Sequence, residues 1–542
     1  MNRINGTDFK EMLLSGAAHL SNRHDAIDAL NVFPVPDGDT GTNMSMTFTS
    51  GVKEAMQACT DDLSVLAKTL SKGLLMGARG NSGVILSQIF RGFYQSIEGK
   101  SELAPADLAA AFVNGSKVAY KAVMRPVEGT ILTVVREASA AGDQYMKEHP
   151  EATIEDVFNC ILDESRISLA NTPELLPVLK EVGVVDSGGT GLVVILEGFK
   201  AAMDGRPFVM EEKESTTAKA AMELENEKFG YCTEFILRLS EQGQVTFTEE
   251  KMKKALARLG ESIVVVQDED LVKVHVHTLT PGDALNYAQR YGEFVKLKIE
   301  NMQEQHNTIM NETLPPKAEE PVQEKDYALI AVAAGDGLKK LFEEYRVDVV
   351  ISGGQTMNPS TEDFVAAIKR VKAKHIFILP NNSNIILAAQ QAAAVMEDQD
   401  IRVLQTKSIP QGLSACIMFN PEVCADENEA EMTAALEHVK TGQITYAIKD
   451  TTFDGMEIVA GDYMGIAEKS IVISTPNKMD ACLRLLDNLI DGDSEIVTVL
   501  AGEDASEEET AQIARYIEDQ FGVETDIQAG GQPVYAFIFG VE

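Results

Sequence analysis

The sequence contains no apolar run close to the ~20 residues that a membrane-spanning helix requires. Its first residues are polar and include no apolar signal core, so we expect a cytoplasmic protein. Basic residues are scarce: 47 Lys and Arg stand against 84 Asp and Glu, and the net charge is −37 at pH 7. Such a surface repels nucleic acids and anionic membranes, so we expect neither as a general partner.

The cysteines are few, and their spacing matches neither a disulfide framework nor a paired Cys-x-x-Cys zinc motif. We interpret the six as reduced thiols, with one exception described below. The 542 residues are too many for one hydrophobic core, and ~150–200 residues per domain predicts three domains.

Residues 1–203 are predicted to form an all-α domain. Alternation typical of strands is rare there, whereas apolar residues recur with the helical period. The segments with this period are 8–22, 63–75, 84–96, 105–124, 130–149 and 154–172.

The first Gly-containing break in this domain carries two carboxylates, Asp37 and Asp39, on either side of Gly38. In a turn both can converge on one hard cation, and Mg²⁺ takes oxygen ligands together with substrate phosphates. Small, donor-rich residues suited to phosphate follow, namely Thr40, Gly41, Thr42 and Asn43. The same residues also form an ordinary Asx-turn between two helices, so spacing alone leaves both interpretations open.

Three further Gly-rich breaks precede predicted helices. They are Arg79 with Gly80, Asn81, Ser82 and Gly83; Gly129 with Thr130; and Asp186 with Ser187 and Gly188. Backbone amides at the N-terminus of a helix can bind phosphate. In the alternative interpretation, each break only supplies the N-cap residue of the following helix. Arg79 is the nearest cation, placed either to face transferring phosphate charge or to lie on the surface. Four such breaks in a helical domain favour one shared site.

Residues 204–228 are predicted to be a linker, and 229–310 a small α/β domain. His275 and His277 alternate on one predicted strand, so they lie on one face and can share a metal. Cys232 on a neighbouring strand completes an N/N/S set that Zn²⁺ accepts. The alternative is two histidines on a half-exposed sheet face beside a buried Cys. The fourth position is open between water, Glu234 and His306.

Residues 311–326, with three prolines, are predicted to be a second linker, and 327–542 an α/β domain with parallel sheet. Polar loops 352–361, 380–384 and 406–412 follow strands, and such loops gather where open α/β sheets bind ligands. Three interpretations of these loops are open: they bind a ligand, they only connect secondary-structure elements, or they form part of a dimer or docking surface. We prefer the last interpretation.

Two of these motifs carry a resemblance to known proteins. Residues 34–44 resemble the metal- and ATP-binding loop of the dihydroxyacetone kinase nucleotide-binding domain, and 73–83 resemble its second phosphate loop. Nearly end to end, the chain is similar to the ATP-binding subunits of bacterial fatty acid kinases. The dihydroxyacetone kinase pattern has a third aspartate upstream, where this chain has Asn31.

The resemblance implies a closed ring of helices, a DegV-like C-terminal domain and a homodimer. It implies that ATP and Mg²⁺ bind at Asn31, Asp37 and Asp39, with Gly129, Thr130 and 186–188 lining the nucleotide, and zinc at Cys232, His275 and His277. The implied reaction phosphorylates a fatty acid carboxylate presented by a separate DegV-type binding protein. That acceptor is already deprotonated at neutral pH, in accord with the absence of a His-based dyad in the first domain. The alternatives are a lipid-binding or scaffolding regulator and a small-ketose kinase.

Overall fold

The structure is a computed structural model. It describes residues 2–31, 38–123, 125–210, 231–240, 246–268, 271–301, 325–354, 358–396, 398–447, 450–453, 456–468 and 470–542. Two compact units are present: Met1–Glu211 with Gln323–Glu542, and Glu212–Val322. Asp37, His306 and most of both predicted linkers lie outside the described residues. The second predicted linker ends early, because a strand begins at Lys325.

The N-terminal domain is all-α, as predicted. Its helices are α1 (Gly6–Asp28), α2 (Thr40–Gln57), α3 (Leu63–Gly77), α4 (Gly80–Ile97), α5 (Pro105–Ala122), α6 (Ile131–Glu148), α7 (Ile154–Leu175), α8 (Pro177–Val182) and α9 (Ser187–Met203).

These helices form a closed ring around one core. Consecutive helices from α1 to α7 pack together, and α9 packs against both α7 and α1. The closure is tight, because a Cβ on Gly198 would lie 2.5 Å from the Cα of Gly16. Phe48, Phe158 and Ile195 are fully buried inside the ring.

The middle unit is a small antiparallel α/β structure. Its sheet has the order β2-β3-β1-β4, with β1 (Tyr231–Leu239), β2 (Gly260–Asp268), β3 (Leu271–Thr278) and β4 (Gly292–Asn301). Helices α10 (Glu249–Leu256) and α11 (Pro281–Ala288) share a core with one face of the sheet.

The first half of the C-terminal domain has the predicted parallel sheet. Its order is β6-β5-β7-β8, with β5 (Lys325–Ala333), β6 (Val349–Ser352), β7 (Ala373–Leu379) and β8 (Asp400–Val403). The helices of this half are α12 (Asp336–Glu344), α13 (Thr361–Arg370), α14 (Ile386–Val395), α15 (Ile409–Met418) and α16 (Ala425–Ala435).

The second half corrects the prediction of one parallel sheet. A six-stranded sheet with the order β13-β12-β9-β16-β14-β15 is antiparallel except between β14 and β15. The strands of this sheet are β9 (Lys440–Tyr446), β12 (Tyr463–Ala467), β13 (Ser470–Thr475), β14 (Ile496–Ala501), β15 (Glu524–Ala529) and β16 (Phe537–Val541). A separate two-stranded sheet consists of β10 (Thr451–Phe453) and β11 (Met456–Ile458). The helices of this half are α17 (Lys478–Leu489) and α18 (Glu507–Phe521). The connection between β12 and β13 is too short for a parallel crossover, so these strands pair as a hairpin.

Membrane-spanning helices and the state of the cysteines were the two remaining expectations from the sequence. Within the described residues, no helix has both the length and the apolar character needed to cross a bilayer. The cysteines whose side chains are described, at 59, 160, 416, 424 and 482, are free thiols.

Candidate nucleotide and phosphoryl-transfer site

Asp39 lies at the N-terminus of α2 and is almost completely buried, at 7% exposure. Its side chain does not cap the helix; one oxygen accepts a hydrogen bond from Nδ2 of Asn358 in the C-terminal domain. Burial raises the pKa of Asp39 to about 6, with the charge of Asp28 acting in the same direction and hydrogen bonds from Asn43 and Asn358 opposing it. A desolvated carboxylate beside a second acid is the electrostatic setting expected of a cation site.

Asp28, which the sequence reasoning missed, holds the start of α2 in place. Its Oδ1 accepts hydrogen bonds from the amides of Gly41 at 2.6 Å and Thr42 at 3.1 Å. Its Oδ2 accepts one from Oγ1 of Thr42 at 2.7 Å. These groups were predicted to contact phosphate, but here they are donors to Asp28. The available signal was a carboxylate in the last turn of α1, where the helix dipole disfavours negative charge.

The predicted third magnesium position, Asn31, lies just beyond α1. Its amide donates to the carbonyl oxygen of Asp28 at 3.0 Å, so the two residues share one turn. Within the described residues, no three His, Cys, Asp or Glu side chains surround a common metal position, and Asp37 lies outside that part of the chain.

The start of α4 packs directly against α2, as the shared-site prediction requires. Gly80 has φ +59°, and a Cβ there would lie 2.8 Å from Nδ2 of Asn43. A Cβ on Gly83 would lie 2.5 Å from Oγ1 of Thr47, which also accepts a hydrogen bond from the amide of Arg79 at 3.1 Å. Glycine is therefore required at two positions for α4 to approach α2.

The guanidinium of Arg79 points toward the same end of the ring. It donates to the carbonyl oxygen of Asn358 at 2.8 Å and lies 3.6 Å from Oδ2 of Asp363. Its side chain is 22% exposed, so it is neither a free surface cation nor fully buried.

The other two breaks lie beside α4. Thr130 caps α6, and Asp186 caps α9 by accepting a hydrogen bond from the amide of Gly189 at 2.6 Å. Burial raises the pKa of Asp186 to about 6. A Cβ on Gly188 would lie 3.2 Å from Oγ of Ser82, which places the starts of α4 and α9 in contact.

A cavity of about 390 Å³ opens between these helix starts and the C-terminal domain. Its polar lining includes Ser82, Thr130 and Asp186, and Ile85, Val127 and Leu132 contribute an apolar wall. That volume and mixture suit a nucleoside, and anions bind at helix starts. Ser187 lies at the first position of α9, directly after Asp186.

Among the described residues, five buried amide oxygens have no hydrogen-bond partner, and two of them, Oδ1 of Asn358 and Oδ1 of Asn81, belong to residues at this end of the ring. Asn358 also contacts Asp39, and Asn81 follows Gly80 at the start of α4. Like the carboxylate of Asp39, both amide oxygens are hard donors of the kind that Mg²⁺ prefers. The residues present therefore fit a magnesium–phosphate group at this end of the ring.

Family comparisons cover nearly the whole chain. Residues 34–201 match the DAK2 domain, 228–309 the middle domain of the FakA-like fatty acid kinase proteins, and 328–542 the C-terminal domain of the same proteins. Protein YloV of Bacillus subtilis is 48% identical over 552 residues, covering 99% of both chains. The chain belongs to the FakA-like fatty acid kinase family.

Another relative is an uncharacterized protein of Staphylococcus epidermidis, 44% identical over 555 residues and covering all of both chains. Among solved structures, the DegV family protein Cg2579 from Corynebacterium glutamicum aligns with 40% of this chain and 96% of its own, at 17% identity and a TM-score of 0.32. The dihydroxyacetone kinase from C. freundii in complex with AMP-PNP and Mg²⁺ aligns with 36% of this chain and 33% of its own, at 19% identity and a TM-score of 0.27.

The middle domain of this family member carries the predicted zinc residues on adjacent strands. Cys232 pairs directly with His277, and Glu234 pairs with His275. The alternating residues Phe235 and Val276 are buried in the core, so the pairs lie on the opposite face of the sheet. The side chains of these four residues lie outside the part that the structure describes.

Proposed function

We propose that the protein transfers the γ-phosphoryl group of ATP to a fatty acid carboxylate, which a separate fatty-acid-binding protein of DegV type presents, and so forms an acyl-phosphate. One observation carries this proposal: buried Asp39 and Arg79 both contact Asn358, at the end of the ring where glycines let α4 approach α2. A cavity of nucleoside size lies beside them. This arrangement occurs in a chain of the FakA-like fatty acid kinase family.

The chain's own residues have distinct parts in this reaction. Asp39 provides the carboxylate that holds the metal, and Asp28 fixes the backbone that carries Asp39. Arg79 faces the charge that spreads over the transferring phosphoryl group. Mg²⁺, when bound, neutralises charge on the β- and γ-phosphates. Asp37 is expected to be a second carboxylate ligand from the sequence alone.

No general base is assigned, because the acceptor carboxylate is ionised at neutral pH. The helix starts bearing Thr130 and Asp186 border the cavity proposed for the adenosine part of ATP. Catalysis then depends on positioning and charge neutralisation, which suffice for phosphoryl transfer.

The C-terminal domain has a small cavity in the part of it that the structure describes. Its cavity at the ends of the parallel strands has a volume of about 60 Å³ and is lined by residues such as Val332, Asn381 and Ile538. Space of that size holds a few water molecules at most. A separate carrier for the fatty acid accords with this volume, and so does a docking role for the loops of this domain.

We further propose a zinc ion in the middle unit, bound by Cys232, His275 and His277. The register that makes Cys232 a direct partner of His277, on the face away from the core, supports this assignment.

The deciding experiment combines the purified protein, ATP, Mg²⁺ and a DegV-type binding protein loaded with fatty acid, and traps acyl-phosphate with hydroxylamine. We expect acyl hydroxamate with the unsubstituted protein and none with Asp39→Asn. Dihydroxyacetone in place of the loaded carrier tests the small-ketose alternative. Absence of hydroxamate with both carrier and fatty acid present would leave the regulator as the better account.

A further inference from the structure

Two cavities that border the helical ring lie next to each other along the chain. One is the cavity proposed for adenosine, and the other, of about 480 Å³, lies beside α5. Lys121, in the last turn of α5, lines the second cavity, and Val123, which directly follows α5, lines the first. The exposed side of α5 therefore leads to the edge of the proposed adenosine cavity.

The charged residues that line the cavity beside α5 are all basic, namely Lys117, Lys121 and Arg136. Arg136 is paired with Glu128 at 2.6 Å and with Glu137 at 3.1 Å. Lys117 and Lys121 are exposed, and no described residue forms an ion pair with either of them. In a chain with 84 acidic and 47 basic residues, this part of α5 therefore has a local excess of positive charge.

Arg125 continues this series of cations at the rim of the proposed adenosine cavity. It lies four residues after Lys121, just as Lys121 lies four residues after Lys117. Arg125 is exposed and has no acidic partner within the described ranges, and Val127 beside it is 50% exposed, so this edge of the cavity faces solvent. Of the described residues that line the cavity, only Arg125 and Asp186 are charged.

The rim at Arg125 is the open side of the proposed nucleotide site. At the opposite end, Asn358 of the C-terminal domain contacts both Arg79 and Asp39, so protein closes that end as far as the described residues extend. A nucleotide that enters past Arg125 leads with its phosphates, because in the proposed complex they lie deeper than the adenosine, near Arg79. The cations on α5 therefore act on the triphosphate during entry.

We propose that Lys117, Lys121 and Arg125 form a cationic approach to the adenosine cavity, which attracts Mg²⁺–ATP and raises the rate at which it enters. The inference rests on the proposed function for the identity of the ligand. The net charge of −37 repels an anionic nucleotide, whereas local charge of opposite sign at a cleft raises association rates by about 10- to 1,000-fold. Lys117 and Lys121 line only the cavity beside α5, so their effect on entry is separable from contacts with the bound nucleotide.

Stopped-flow mixing of the full chain with a fluorescent, non-hydrolysable ATP analogue and Mg²⁺ measures the association and dissociation rate constants. The field of an exposed charge extends about 30 Å at an ionic strength of about 0.01 M, but only about 8 Å at about 0.15 M. At the lower ionic strength, we expect the double variant Lys117→Gln with Lys121→Gln to associate about three- to tenfold more slowly than the unsubstituted chain, with an unchanged dissociation rate constant. At the higher ionic strength, the difference should shrink to less than about twofold.

The double variant Lys68→Gln with Lys72→Gln is the matched control. These two lysines are also exposed and lie four residues apart on one helix, α3, but they line neither cavity. Both double variants change the net charge equally, so we expect association to slow only when the lysines of α5 are replaced. A fluorescent adenosine without phosphates should associate equally fast with all three proteins, because it has no charge for the cations to attract.

Three outcomes would overturn the cationic approach. Equal association rates for the two double variants at low ionic strength would mean that the position of these lysines does not matter. Faster dissociation with unchanged association in Lys117→Gln with Lys121→Gln would make the two lysines contacts of the bound nucleotide. Failure of the unsubstituted chain to bind the analogue would overturn the proposed nucleotide site as well, whereas the first two outcomes leave that site intact.

Discussion

Asp39 is shielded from water, and the groups that act on its charge come from three parts of the chain: Asn43 and Asn358 donate hydrogen bonds to it, whereas Asp28 repels it. Asn43 lies one turn along the same helix, Asp28 ends the previous helix, and Asn358 comes from another domain. The sequence identified Asp39 because turn chemistry is local. It could not identify Asn358, because no local pattern links positions 319 residues apart.

Asp39→Asn is expected to lower the phosphoryl-transfer rate by at least about 100-fold, because the amide cannot supply the charge that holds the metal. Thermal stability should stay level or rise, since a neutral amide is easier to bury than a carboxylate. Rates and unfolding midpoints of the variant measure both effects. Asp163→Asn on the exposed side of α7 is the control, and near-normal turnover in Asp39→Asn would exclude the metal role.

Asp28→Asn is expected to weaken the binding of Mg²⁺–ATP about tenfold without abolishing it. The variant keeps one acceptor for the amides of Gly41 and Thr42 but loses the acceptor for the Thr42 hydroxyl. Calorimetric titration of the nucleotide with Mg²⁺ gives the affinity. An effect as large as that of Asp39→Asn would instead indicate that Asp28 contacts the metal directly.

The pKa of Asp186 gives a prediction about pH. Its folded value of about 6 lies above the ordinary 3.8, so the folded state binds this proton more tightly, and the associated stability is lost as pH rises through 6. Asp186→Asn can still cap α9, and it should be more stable than the unsubstituted protein near pH 7 by at most about 3 kcal/mol. Unfolding midpoints should converge near pH 4. An equal difference at both pH values would contradict the burial of this charge.

At the scale of elements, the proposed site consists of the N-terminal ends of helices. The N-terminal ends of α2 and α4 can pack closely because Gly80 and Gly83 have no side chain to collide with Asn43 and Thr47. The helical period and the Gly-rich breaks are local features, so the all-α domain and the positions of its helix starts could be predicted. The antiparallel sheet could not, because β9 and β16 pair across about ninety intervening residues and no short-range pattern records that pairing.

Gly80→Ala and Gly83→Ala are expected to reduce nucleotide affinity more than about tenfold, and to destabilise the helical domain by about 1–3 kcal/mol. The added methyl group would meet Asn43 or Thr47 and push α4 away from α2. Gly99→Ala is a matched control, because Gly99 has φ +76° but open space around its Cβ position. If Gly99→Ala costs as much stability as Gly80→Ala, backbone strain and not packing explains the effect.

At the scale of the whole molecule, the two proposed sites lie in separate units. In sequence, the middle unit falls between the two stretches that form the other unit, and it has its own core. Alternation predicted that His275 and His277 share a face, but only the strand order β2-β3-β1-β4 made Cys232 the direct neighbour of His277.

This separation predicts that the two units respond to different ligands. A structural zinc ion contributes directly to folding, so a zinc-selective chelator should lower the unfolding midpoint of the middle unit alone. Mg²⁺ with an ATP analogue should raise only the midpoint of the unit that contains Asp39, because a ligand stabilises the state that binds it. The double variant His275→Ala with His277→Ala should contain no zinc by elemental analysis and should not respond to the chelator. His438→Ala, in the other unit, should keep its zinc and its response to the chelator.

Unchanged zinc content in the double variant would exclude zinc binding at these residues. A chelator that shifts both midpoints equally would mean that the units do not unfold independently.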